Sequence, residues 1–387
     1  KIVKLLAGVY GVDFAAATSD GSTPLHWAAS RGKRAAIEVL LGTFCAQVDP
    51  RDEKGCTPSL MAAFNGHVAS LELLLGRFHA KLSTHDKKRT SLLHAACEMG
   101  HAQLASALIE RHNMSTNAED NRGLTPLARA AERNQVDVLR LLVEKYQARL
   151  DTLTARKSGL LHVACEAGAI DAAELLLKEY GFDPNARNAD GETPAFLAAS
   201  RGHANVLSVL VNAYGATLDI TDAKGASPLH KACERRDIDA VSVLLESYGL
   251  RANQVDPRGS TPLHLAARSG DASLMELLTG SVGRADPGQR DGEGNQPLHI
   301  AAACGHLGVV RVMVEKACAD LGARNRSGKS ALDVAVAKAH TEVADYLRGV
   351  LPDKGQHHDE CRSGRRGFKR AGRWMRLARA DGFLQDV

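Results

Sequence analysis

Long apolar stretches are missing from this 387-residue chain. No apolar run reaches the roughly 20 residues that a membrane-spanning helix needs. Also absent are a phosphate-cradling Gly-x-x-x-x-Gly-Lys-Ser/Thr loop, a Gly-x-Gly-x-x-Gly turn after a strand and a nucleophile elbow. Readings as a nucleotide-binding enzyme or a serine hydrolase therefore lack their usual support. An excess of one charge is missing over most of the length. The formal net charge of +4 resides in residues 351–387, which hold nine Lys/Arg against five Asp/Glu. Aromatic side chains are scarce, at 4% of the chain.

What the chain does have is a motif that returns at a nearly fixed interval. Thr23-Pro24-Leu25-His26 recurs as Thr57-Pro58, Thr125-Pro126, Thr193-Pro194, Ser227-Pro228-Leu229-His230, Thr261-Pro262-Leu263-His264 and Gln296-Pro297-Leu298-His299. Weaker copies stand at Ser91-Leu92-Leu93-His94, Gly159-Leu160-Leu161-His162 and Ser330-Ala331-Leu332. The step is 34 residues, with one step of 35 between Thr261 and Gln296. A fixed period of this size predicts a stacked array of small units. It overrides the two or three globular domains that length alone would suggest.

Each unit can be read from its own residues. The hydroxyl that opens the box can accept hydrogen bonds from the free N–H groups at a helix start, and the following Pro lacks only an N–H that would be an orphan there. A short helix of small residues follows, as in Leu25-His26-Trp27-Ala28-Ala29. Gly at 32, 66, 100, 168, 202, 270 and 305 suits a positive-φ turn between two helices. Asn134 and Arg236 hold that phase in two other units. A second helix is leucine-rich, and a polar loop such as Asn188-Ala189-Asp190-Gly191 turns the chain back.

This pattern resembles the ankyrin repeat family, on the Thr-Pro-Leu-His box, the Ala pair, the inter-helix Gly and the second-helix leucines. The resemblance covers about residues 1–350. It implies an all-α solenoid of helix–turn–helix–hairpin units, here ten full repeats plus an N-terminal partial one. It also implies a protein-binding surface on the concave first-helix face and the hairpin tips. The boxed histidines His26, His94, His162, His230, His264 and His299 are assigned a structural task, bonding backbone in the neighbouring hairpin, rather than a catalytic one. The family's commonest period is 33. The extra residue falls at the end of the second helix, where Tyr10, Phe44, Phe78, Tyr146, Tyr180, Tyr214 and Tyr248 recur, with His112 in the same phase. These rings are read as mostly buried seals between units rather than as a ligand platform.

A double period is superposed. Cys97, Cys165 and Cys233 lie 68 residues apart, as do Asn117, Asn185 and Asn253. Helix pairs stacked at about 8–10 Å would separate those thiols by roughly 20 Å, too far for a disulfide or a shared metal. They read as small buried side chains in a reducing cytoplasmic or nuclear compartment. Asn185, two residues after Asp183, resembles the hairpin asparagines that hydroxylases modify in this family; a plain turn role is the stronger reading.

Among the exposed tips, Lys54, Lys88, Arg122 and Arg156 are consecutive, with Lys224 and Arg258 at the same phase further on. A row of one sign steers an acidic partner. Arg31, Arg133, Arg201, Arg235 and Arg268 extend it, while Glu98, Glu132, Glu166 and Glu234 oppose it.

Residues 351–387 read as a basic tail without fixed structure, with eight Lys/Arg and no acid between Arg362 and Arg379. Segment 362–379 offers a second reading, in which nucleic acid, an anionic membrane or a calmodulin-like groove is the partner. His357-His358-Asp359-Glu360-Cys361 has metal-ligand types side by side, but adjacent residues rarely close a tetrahedral site. A third reading makes the array the regulatory or targeting arm of a larger enzyme or channel. It rests on Ile2-Val3-Lys4-Leu5-Leu6, which reads as a second helix without a first, and on the opening Lys1. The expected protein is a monomeric, non-catalytic scaffold or adaptor with no cofactor, metal or small-molecule substrate.

Overall fold

The computed structural model describes residues 16–218 and 220–351. The N-terminal partial repeat, the basic tail and its His-His-Asp-Glu-Cys run lie outside the described residues. The chain divides into two compact units at the Leu218–Asp219 junction. Both are built from the same helix pair.

In the first unit, first helices run over Pro24–Ser30, Pro58–Phe64, Leu92–Glu98, Pro126–Glu132, Leu160–Ala167 and Pro194–Ser200. In the second they run over Pro228–Arg235, Pro262–Ser269, Pro297–Cys304 and Ala331–Ala337. Every start coincides with a box. The hydroxyls of Thr57, Ser91, Thr125, Thr193 and Ser227 each accept the N–H three residues on. That removes one of the orphan donors of the first turn. Gly159 has no side chain to do this, and its helix begins without a side-chain cap.

The buried faces explain why such short helices hold. Ala62, Ala63, Ala95, Ala96, Ala130 and Ala131 are fully buried where successive first helices meet. Their small side chains allow close axis-to-axis approach. The second helices contribute Leu74, Leu104, Leu108, Leu139 and Leu142, all with at most 1% exposure. Each such leucine contributes about 1.5–3 kcal/mol on burial. No helix here would be stable alone, so the neighbours stabilise it.

The turn between helices is left-handed in every unit. The seven sequence-marked glycines have φ from 64° to 79°. Asn134 and Arg236 share the conformation, with φ of 59° and 60°. Arg236 thus caps its helix in the left-handed region, as its phase predicted.

The extra residue of the 34-residue period is accommodated differently in alternate units. Second helices end in a π-turn at Leu73–Arg77, Leu141–Lys145 and Val209–Ala213, 68 residues apart. A π-turn absorbs one inserted residue. The intervening second helices, Ala102–His112 and Ile170–Lys178, stay α-helical. The double period is therefore structural as well as sequential. The residue after each recurrent ring is left-handed, as at His79, Gln147, Gly181 and Gly215. The rings themselves, Tyr180 and Tyr214 included, are half-buried. None of the described rings is exposed, and the Tyr180 hydroxyl is buried, which fits rings packed at the joints between units.

Candidate functional site

The hairpin tips are held by two sets of bonds. Within a hairpin, one carboxylate oxygen accepts two backbone N–H groups: Asp52 from Lys54 and Cys56, Asp86 from Lys88 and Thr90, Asp120 from Arg122 and Leu124. Between hairpins, the tip carbonyl accepts a backbone N–H of the next unit. Lys54 O accepts Lys87 N at 3.0 Å, Lys88 O accepts Asn121 N at 2.9 Å, and Arg156 O accepts Ala189 N at 2.8 Å. In the second unit, Glu293 O accepts Arg326 N in the same way.

The boxed histidines complete the frame. The backbone N–H of Thr23, Ser91, Ser227, Thr261 and Gln296 points at Nδ1 of the His three residues on. An N–H can only donate, so Nδ1 is the acceptor and Nε2 carries the proton. Nε2 then donates to a carbonyl of the next hairpin: Cys56 for His26, Leu124 for His94, Ser260 for His230, Asn295 for His264 and Lys329 for His299. His162 donates to Ala186 O. Burial lowers the pKa of His94, His162, His230, His264 and His299 below the ordinary imidazole value.

A second histidine series escaped the sequence reading. His67, His101, His203, His306 and His340 precede second helices, and each Nε2 lies 3.0–3.1 Å from a carbonyl at the end of the previous first helix. The ring lies against the inter-helix Gly of the preceding unit. A Cβ on Gly32, Gly66, Gly168, Gly270 or Gly305 would fall 2.6–2.8 Å from the ring. The signal was present as recurring Gly-His dipeptides at 66–67, 100–101, 202–203 and 305–306. The asparagines of the double period are staples too: Asn117, Asn185 and Asn253 accept the backbone N–H of Arg149, Thr217 and Asp286.

Lys54, Lys88, Arg122, Arg156, Lys224 and Arg258 are all exposed. The four consecutive tips of the first unit are not equivalent. Arg122 is paired with Glu132 at 2.6 Å and Arg156 approaches Asp190 at 3.9 Å. Lys54 and Lys88 make no ion pair among the described residues. Two of the exit arginines bond back to the preceding unit, Arg133 to Glu98 and Arg201 to Glu166. The opposing glutamates thus neutralise part of the row.

Beside the tips lies a cavity of about 440 Å³, lined by Lys88, Arg122, Arg129, Arg133, Glu98 and Glu132 among others. Arg129 is the residue that sequence reasoning missed. It stands in a first helix where the neighbouring units carry Ala95 and Val163. Its side chain is only 7% exposed, and its Nε donates to Asp120 at 2.9 Å.

Cys97, Cys165 and Cys233 are buried, and burial pushes their thiols well above the usual range. Among the described residues, no group of three or more His, Cys, Asp or Glu could hold a metal ion. Nor is any helix among them long and apolar enough to cross a membrane. A family model described as ankyrin repeats in three copies matches residues 1–83, 60–154, 161–256, 214–291 and 263–356. No curated protein matches the sequence.

Proposed function

The chain belongs to the ankyrin repeat family, and on that footing we propose that it is a non-catalytic scaffold or adaptor holding an acidic protein segment. The binding surface is the row of hairpin tips and the adjoining first-helix ends of residues 16–218. Ankyrin repeats serve generally as protein–protein interaction modules. The observation that carries the reading is the pinned tip row. Lys54, Lys88 and Arg122 project from hairpins fixed internally by Asp52, Asp86 and Asp120, and backbone bonds tie the Lys54, Lys88 and Arg156 tips each to the hairpin that follows. A surface held this way binds without a large ordering cost. Its exposed cations steer acidic partners and reject basic ones.

The test is affinity capture on the full chain and on a variant with Lys54→Glu, Lys88→Glu, Arg122→Glu and Arg156→Glu. The fold should survive, because exposed tip side chains contribute little stability. Acidic proteins held by the unaltered chain should be lost, and their retention should fall as salt is raised. An unchanged set of captured proteins would refute the proposal.

A further inference from the structure

Arg129 sits at the centre of a charge relay. Its Nη1 lies 3.0 Å from one oxygen of Glu132 and 3.9 Å from one oxygen of Glu98. The other oxygen of Glu132 takes Arg122 Nη1 at 2.6 Å, and the other oxygen of Glu98 takes Arg133 Nη2 at 2.8 Å. Both carboxylates are thus spent on guanidinium groups. The side chains of Glu98 and Glu132 are 12% and 17% exposed, whereas those of Arg133 and Arg122 are 57% and 54% exposed. A ligand entering the cavity meets N–H donors and the ammonium of Lys88, which has no ion pair among the described residues; of the acids in the lining, Glu98 and Glu132 are held by arginines and one oxygen of Asp86 by two hairpin N–H groups.

Buried ion pairs of this kind seldom add stability over an apolar packing. The chain contains that apolar alternative. Two units on, 68 residues from Asp120 and Arg129, stand Asn188 and Leu197. Asn188 still accepts the two hairpin N–H groups through its side-chain oxygen, and Leu197 is 3% exposed. The fold therefore does not need the charges in every unit. A cation recurs at this phase in Lys231, 3.2 Å from Asp222, but its Glu234 is 65% exposed; it is the two shielded carboxylates gathered around Arg129, each also holding an exposed arginine, that point to a ligand.

The spacing narrows its chemistry. Lys54, Lys88 and Arg122 sit one unit apart, at about 8–10 Å per helix pair. A polyproline II segment advances about 3.1 Å per residue with three residues per turn. Every third side chain then returns to the same face after about 9.3 Å. We propose that the cavity seats a carboxylate of an extended acidic peptide between Arg122 and Arg133, with acidic residues at every third position. Arg129 is a positioning residue that holds the two arginines in place through Glu98 and Glu132. This deepens the scaffold reading and rests on it.

The experiment uses the full chain and fluorescein-labelled 12-residue peptides at near-physiological salt, read by anisotropy. The probe is four copies of Glu-Pro-Pro. The controls are four copies of Gln-Pro-Pro, and a peptide with four contiguous Glu between proline runs. The spaced acidic peptide should bind at least about tenfold tighter than either control. Asp120→Asn with Arg129→Leu copies the Asn188/Leu197 arrangement. It should melt within a few degrees of the parent and lose about tenfold in affinity, a difference of about 1.4 kcal/mol. Arg133→Gln, at a side chain 57% exposed and able to keep a hydrogen bond to Glu98, should weaken binding similarly. Equal binding of the spaced and Gln peptides would overturn the inference, as would full affinity in Arg133→Gln. Stronger competition by a 12-nucleotide single strand than by the peptide would do so too. The charge-reversal capture can succeed while these results fail, so the two proposals are separable.

Discussion

The contact between Gly66 and His101 allows a quantitative test of how successive units are coupled. Gly66 has φ of +70°, and a Cβ there would lie 2.6 Å from Nδ1 of His101. The same ring donates from Nε2 to Phe64 O at 3.0 Å. Gly66→Ala thus combines two costs. A left-handed alanine costs about 1–2 kcal/mol. Expelling the ring leaves the Phe64 carbonyl without its donor, at about 1–2 kcal/mol. The total is about 2–4 kcal/mol. His101→Ala alone removes the same donor and costs about 1–2 kcal/mol. The double variant suffers both losses only once, so it should be no worse than Gly66→Ala. The coupling energy is then about 1–2 kcal/mol in the favourable direction, well above the 0.3–0.5 kcal/mol scatter of independent sites. Gly181→Ala isolates the backbone cost, because Gly181 has φ of +66° and nothing within 4 Å of a new Cβ. Urea unfolding followed by circular dichroism gives all four values. Simple additivity of Gly66→Ala and His101→Ala would refute the account, as would equal costs for Gly66→Ala and Gly181→Ala.

Arg236→Gly should raise the melting temperature slightly, because it removes about 1 kcal/mol of left-handed strain against a smaller gain in unfolded-state entropy; a fall on thermal melting would contradict this. Asn134→Gly should not gain, since Asn134 also bonds Asp171 and Ala172 N across the next unit. The five box histidines with lowered pKa are neutral when folded and take up a proton when unfolded. Their contribution is present above the unfolded value of about 6.5 and is lost as pH falls below it toward the folded values. The urea midpoint should therefore drop between pH 7.5 and 5.5, and a flat profile would count against the assigned tautomer. Tyr180→Ala should cost about 1–2 kcal/mol, less than a fully buried ring, because its side chain is half-buried; a loss above 4 kcal/mol would mean that the ring is a core residue.

Much of the repeat was legible because its signals are local. A box, a glycine and a leucine stripe each specify a turn or helix from adjacent residues, and Arg236 followed the phase of its neighbours despite its bulk. What could not be read depends on residues from different units meeting. Arg129 is recognisable only once Asp120, nine positions earlier, and Glu98 in the preceding unit are brought to the same place. The opposition of the glutamates to the tip row was legible, but not which cation each would meet: Glu132 takes Arg122, whereas Glu98 takes Arg133 from the next unit. Glycine 66 was assigned to backbone freedom, yet His101 from the next unit restricts it as strongly.

The bonds that the tip carbonyls accept from the next hairpin run from main chain to main chain. Lys54 O, Lys88 O and Arg156 O would accept the same partners whatever side chains those positions carried. The interval between tips is therefore insulated from the identity of the tips. Substitution there changes which partner is attracted without moving the neighbouring contact points, so partner preference can diverge one unit at a time while the spacing is inherited intact.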